Sequence, residues 1–373
     1  MKVAIVDFDH YEMTYSLIKC LAVRTDAIDV YSTGEIIALL KKSQLPKKVS
    51  LCWFKTGDVA KLNDTFKTES AYDYVFLNTL NDHFPLANAF LDRLRSGNSK
   101  IILTLHNVNY WFTMARRLKV FKRPRNDEHR AMLKIAQKVD AYLVISENQK
   151  DYLKYDIGVK KKVIVFPYFI FEPQPQKVSV EKTNKLEIVI PGTLEYGRKD
   201  YEVAVEVFKI LDKRLFKLVL LGHIKDEYGA NILVECQKLQ DEGLEVVWFS
   251  KYIQPDEFER VMTEADVVFA PIRVNTKHRG IAEVYGRTKA TGAIFDLIRY
   301  SKPGVFPRSL HIPSEFQDSV VTYTTVNELK EVFNSMLQKR HLLALQAHAQ
   351  KVSTKYAYAN VAESLFQQLS TLN

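Results

Sequence analysis

Two short stretches of this 373-residue chain carry the residue types that handle a phosphorylated ligand. The first, PGTLEYGRK at residues 191 to 199, closes an apolar strand and leads into a helix. Glycine lets backbone approach a ligand closely, a helix N-terminus offers unpaired N–H groups, and Arg198 and Lys199 add positive charge. Gly192 and Thr193 belong to the same turn. The second stretch, EVYGRTKATGAIFDLI at residues 283 to 298, presents Thr288, Lys289, Thr291 and Gly292 ahead of a helix expected to start near Ala293. Asp296 lies one helical turn inside, where a carboxylate accepts hydrogen bonds from a ribose diol. This is not a Walker A loop, because Lys289 precedes Gly292 rather than following it.

The first half of the chain offers further polar groups. IILTLHNVNYW places His106 and Asn107 at a strand end, where a neutral imidazole can meet a ligand hydroxyl. The alternative for His106 is a capping or core histidine. VDFDHYEM puts Asp7, Asp9 and His10 at the end of the first strand, where Asp9 is a candidate general base. Asn81, Asp82 and His83 form a third rim candidate. YWFTMARRLKVFKRPR, residues 110 to 125, interleaves Trp111 with Arg116, Arg117, Lys122 and Arg123, a pattern that suits an anionic membrane interface or the acceptor. An ordinary amphipathic core helix with a solvated basic face is the competing reading. No nucleic-acid module accompanies the basic run, so no nucleic acid is expected as a partner.

Residues 186 to 307 resemble the donor-binding half of a GT-B glycosyltransferase, most like glycosyltransferase family 4. PGTLEYGRK resembles that family's first motif, with Arg198 where lysine is usual and Thr193 where arginine is common. In the second motif Glu283 and Asp296 stand for two glutamates, separated here by twelve residues instead of seven. FPYFIF near residue 166 resembles the crossover between domains.

The resemblance implies transfer of a sugar from a nucleotide-diphosphate-sugar to a glycan or lipid-linked acceptor, in cell-surface polysaccharide or glycoconjugate synthesis. Arg198, Lys199 and Lys289 then neutralise the diphosphate. Glu283 contacts donor sugar or phosphate, as a catalytic or donor-binding residue, and Asp296 contacts the ribose. The first half then holds the acceptor, and the remaining catalytic candidates are His106, toward the donor sugar or an acceptor hydroxyl, and Asp9, the base if the anomeric centre is inverted. No metal or other cofactor is expected, because such enzymes stabilise the leaving group with helix dipoles and basic side chains. The resemblance implies retention of configuration. The rivals are a nucleotide-sugar 2-epimerase of the same fold and a non-catalytic nucleotide-sugar-binding subunit.

Such groups need rigid elements beneath them. Short β-branched and aromatic runs at residues 3–8, 28–32, 49–54, 72–79, 101–106 and 141–146 alternate with helical patterns, which predicts parallel sheets covered on both faces. Residues 163–185, rich in proline and then polar, read as a break, after which LEIVIPGT, FKLVLLGH, LEVVWFS, DVVFAPI and GVFP restart the rhythm. RVNTKHRGIA reads as a polar loop. The expected α/β fold is two Rossmann-like doubly wound domains facing across a cleft: 1–165 for the acceptor, a linker at 166–185, and 186–355 for the donor. A C-terminal helix at 356–373, with Val361, Leu365 and Leu369 on one face, crosses back to the first domain.

Composition sets the bounds. With 47% hydrophobic and 26% charged residues the chain reads as an ordinary globular protein large enough for two cores. Its net charge of +9 suits polyanionic partners. Cys20, Cys52 and Cys236 lie far apart in apolar surroundings, which favours buried thiols in a reducing, cytoplasmic setting, with peripheral attachment to the membrane face resting on residues 110–125. No apolar run approaches a membrane span.

Overall fold

The computed structural model describes residues 1–54, 71–80, 83–94, 98–113, 127–172, 184–251 and 253–372. The first sheet contains β1 (Lys2–Asp7), β2 (Ala27–Thr33), β3 (Val49–Phe54), β4 (Tyr74–Leu77), β5 (Lys100–Thr104), β6 (Ala141–Val144) and β7 (Lys162–Val165). All pairings are parallel, in the order β3-β2-β1-β4-β5-β6-β7. Val3 to Val6 are fully buried, as expected of a central strand with helices on both faces. Strand order reverses between β1 and β4, and their carboxyl ends open a crevice there.

The second sheet contains β8 (Leu186–Pro191), β9 (Phe216–Leu221), β10 (Glu245–Trp248) and β11 (Val267–Phe269). A two-stranded hairpin, β12 (Asn275–His278) and β13 (Ile281–Val284), stands outside that sheet, which ends with β14 (Gly304–Pro307) and β15 (Val320–Tyr323). The order is β10-β9-β8-β11-β14-β15, again parallel throughout. This sheet reverses between β8 and β11, so the two crevices face each other.

Two expectations need correction, and one strand was not expected. RVNTKHRGIA is not a plain loop: Arg279 and Gly280 both take positive φ, 48° and 80°, which closes an antiparallel hairpin. The break expected at 163–185 begins too early, because Lys162–Val165 is the seventh strand, paired with β6. β15 was hidden by its mixed composition, VVTY with two partly exposed residues.

The helix Tyr358–Ser370 buries Val361, Ala362, Leu365, Phe366 and Leu369. It packs on the helix Tyr11–Leu21 and on β7, so the end of the chain belongs structurally with the first sheet. Gln368 clamps both polar groups of Val165, accepting from its N–H at 2.8 Å and donating to its carbonyl at 2.9 Å. Among the described residues no helix is long and apolar enough to cross a membrane.

Candidate functional site

The two crevices meet in a cleft of about 470 Å³, walled by His10, His106 and Asn107 on one side and by Gly192, Arg198, Lys199, Lys289, Thr291, Gly292 and Asp296 on the other. The two sequence stretches therefore converge on one site.

Gly192 follows β8 with φ of +100°, a conformation that only glycine adopts without strain. A Cβ built there would lie 2.7 Å from Lys199 Nζ, so the ammonium is tucked directly against the turn. Lys199 is 9% exposed, and burial, the largest cause, lowers its pKa to about 8. Asp296 supplies a nearby opposite charge, and its own carboxyl is pushed up to about 7 by burial. Both residues line the cleft. Arg198 is largely exposed and pairs with Glu195 at 2.8 Å. Lys289 is held below the ordinary lysine range, first by burial and then by Arg198. An anion placed between two cations that disfavour each other stabilises both.

Thr291 caps the helix Gly292–Tyr300, its hydroxyl accepting from Ala293 N. That helix aims its N-terminus at the cleft, and Asp296 follows one turn later. Gly192, Phe258 and Asp296 also line an adjoining chamber of about 410 Å³, with Thr193, Leu221, Gly222 and Phe169 among its walls. Thr193 thus faces the second chamber rather than the cleft.

Across the cleft, His106 Nε2 lies 3.4 Å from the Thr79 hydroxyl, and the rings of His10 and His106 meet edge to face with centroids 5.6 Å apart. Burial, then the charge of His10, brings the His106 imidazole down to about 3. The neutral imidazole is favoured, a form that can donate or accept a hydrogen bond in the cleft. Beneath it Asp7, fully buried, accepts from Asp9 N, His10 N and the hydroxyls of Thr14 and Thr79. Asp7 therefore organises the turn after β1 rather than facing a ligand.

Several expected roles do not match the geometry. Asp9 is exposed on the outside of that turn and does not line the cleft, so it is poorly placed as a base; His10, its neighbour, lines the cleft instead. Thr288 is buried, and its hydroxyl accepts from Val284 N at 2.8 Å, which locks the turn instead of binding a donor. Glu283, 1% exposed, points away from the cleft and accepts from Tyr110 N at 2.8 Å and Asn109 N at 3.3 Å. Trp111 is 4% exposed and packs on Phe84, so it is unavailable to a membrane or acceptor. His83 stacks on Phe8. Arg116, Arg117, Lys122, Arg123, Asn81 and Asp82 lie outside the described residues. Sequence reasoning did not single out Phe258, His278 and Tyr285, which line the cleft. Only the amphipathic pattern of PDEFERVMTE hinted at the first, and the hairpin turn Arg-Gly at the second.

Comparison with solved structures finds this two-domain arrangement elsewhere along almost the whole chain. A glycosyltransferase from Rickettsia africae ESF-5 aligns over 100% of this chain and 98% of its own, with TM-score 0.69 and 13% identity. Anabaena Alr3699/HepE, solved in complex with UDP, aligns over all of both chains with TM-score 0.67 and 15% identity. Sucrose-phosphate synthase from Thermosynechococcus elongatus covers 99% and 98%, with TM-score 0.63 and 14% identity. The fold is GT-B. At these identities the likeness is one of fold. No family model matches the sequence, and a search of curated proteins finds no relative.

Proposed function

We propose that the protein is a glycosyltransferase that binds a nucleotide-diphosphate-sugar between its two domains and passes the sugar to an acceptor on the first. The observation that carries this reading is the convergence of Lys199, Arg198 and Lys289 with the N-terminus of the helix Gly292–Tyr300 around one cleft. The diphosphate sits among these cations. Asp296, at the boundary with the second chamber, receives the ribose, and the nucleoside extends past Phe258 toward Leu221 and Gly222. The UDP and UDP-glucose complexes of Anabaena Alr3699/HepE support a uridine nucleotide as the first ligand to try.

Breaking the glycosidic bond leaves a sugar with oxocarbenium character and a diphosphate that gains charge. Donors fixed in advance around that charge lower the barrier without reorganising. Lys199, Lys289 and the helix N-terminus are such donors, and Arg198 is the mobile one, released from Glu195 when the ligand arrives. His106, held neutral, serves as a hydrogen-bonding group toward the sugar or the acceptor hydroxyl, not as a base.

Asp296 is the one carboxylate among the described residues lining the cleft, and it stands on the nucleoside side. With Asp9 outside the cleft, no carboxylate among the described residues lining it stands on the acceptor side to deprotonate an acceptor from the opposite face. That arrangement supports retention of anomeric configuration, with the leaving phosphate as proton acceptor. The acceptor is a glycan or a lipid-linked glycan, taken up at the His10 and His106 wall. Incubation with nucleotide sugars and an acceptor panel, read by NMR of the product's anomeric proton, tests the proposal. A retained linkage is expected, an inverted one removes the assignment of His106, and a changed sugar without acceptor identifies an epimerase.

A further inference from the structure

Glu283 lies at the centre of a joint between the two domains. Its hairpin springs from the donor domain, yet its carboxylate caps the first turn of the other domain's helix, which begins at residue 108: Oε1 accepts from Tyr110 N and Oε2 from Asn109 N. The Asn109 side chain answers by donating to the carbonyl of Ala282 at 3.0 Å and accepting from the Tyr152 hydroxyl at 2.7 Å. At the hairpin tip, His278 meets the Tyr110 ring edge-on at 4.9 Å, and Ile281 packs on the core of the first domain.

The same joint continues directly into the ligand-facing loop. Val108 N donates to the carbonyl of Thr288 at 3.0 Å, and Asn107 pairs with Lys289 as an antiparallel bridge. His106 and Asn107 on one wall and Lys289 on the other are therefore residues of a single hydrogen-bonded patch. A carboxylate with almost no solvent access is tolerated there because both oxygens are occupied, and breaking the joint would leave it buried and unmatched.

Resting on the donor reading above, we propose that Glu283 is a positioning residue. It ties the donor domain to the helix after His106 and thereby fixes the height of Lys289 over the diphosphate. It touches no ligand itself.

Hydrogen exchange on the full chain tests the tether without ligand. In Glu283→Ala, amides at residues 108–110 and 286–289 are expected to lose protection together, whereas a local cap would release only the first set. Calorimetry with UDP and with uridine supplies the second readout. The ratio of UDP to uridine affinity is expected to fall about tenfold, the scale of one charge-assisted contact, and Glu283→Gln, which keeps one acceptor oxygen, should recover part of it. If the alanine variant does not fold, the glutamine variant carries both measurements. Unchanged exchange at 286–289, or an unchanged affinity ratio in a folded variant, overturns the proposal. A wild type that binds neither UDP nor uridine counts against the uridine-nucleotide donor, and the exchange experiment then decides the tether by itself.

Discussion

Asp296 and Lys199 show how one cleft sets the ionisation of its own residues. Burial raises the carboxyl from 3.8 to about 7 and lowers the ammonium from 10.5 to about 8. Between about pH 4 and 7 the folded state holds a proton on Asp296 that the unfolded chain has lost, so this group's contribution to stability falls as pH rises. Above about pH 8 the sign reverses for Lys199: the unfolded chain binds the extra proton, and stability from that group rises with pH up to about 10.5. Asp296→Asn is expected to flatten the fall between pH 4 and 7 in the empty protein, measured as the difference in Tm between wild type and variant across that range. Parallel curves would show that Asp296 is solvated and ordinary. Both residues were legible in sequence, because a basic pair after a glycine and an acid one turn into a helix are local patterns. The cause that keeps His106 neutral was not, since it lies in burial and in the neighbouring His10, both produced by packing of distant segments.

At the scale of elements, parallel strands were legible as near-continuous apolar runs, and that is why both sheets could be anticipated. What escaped were elements whose burial is one-sided. In β12 the sequence NTKH alternates between exposed and half-buried positions, a solvated ribbon with no core signature. β7, reading KVIV, lay hidden because the proline-rich crossover follows within two residues. Glu283 escaped for a related reason: it stands in β13, whose hairpin carries its carboxylate to the other domain, before the turn at residues 285–289. Gly286 is the pivot of that turn. It takes φ of +80°, and a Cβ would come within 2.2 Å of the His311 carbonyl oxygen, a backbone atom that has no easy retreat. Gly286→Ala should therefore cost about 1–3 kcal/mol in denaturant unfolding. Gly34→Ala, with open space around its Cβ, should be near neutral. Equal effects of the two would mean that the turn is not strained at Gly286.

For the whole molecule, two doubly wound domains turn their switch points toward each other, and the chain then returns to its first domain through the helix Tyr358–Ser370. The crossover makes a second contact between the domains, with Phe169 stacked on Phe295 of the helix Gly292–Tyr300 at 4.3 Å. Architecture was readable from the rhythm of strands; the contacts that fix one domain against the other were not, because they link residues more than a hundred positions apart, as Tyr110 to Glu283. We propose that the cleft between the domains is a nucleoside-diphosphate site built on Lys199 and Arg198. Calorimetric titration of UDP, GDP and CDP, each beside its monophosphate, into wild type, Lys199→Met and Arg198→Ala tests it most directly. One diphosphate should bind at least tenfold more tightly than its monophosphate, and both variants should lose most of that margin. Binding of no diphosphate, or an undiminished margin in the two variants, would contradict the account.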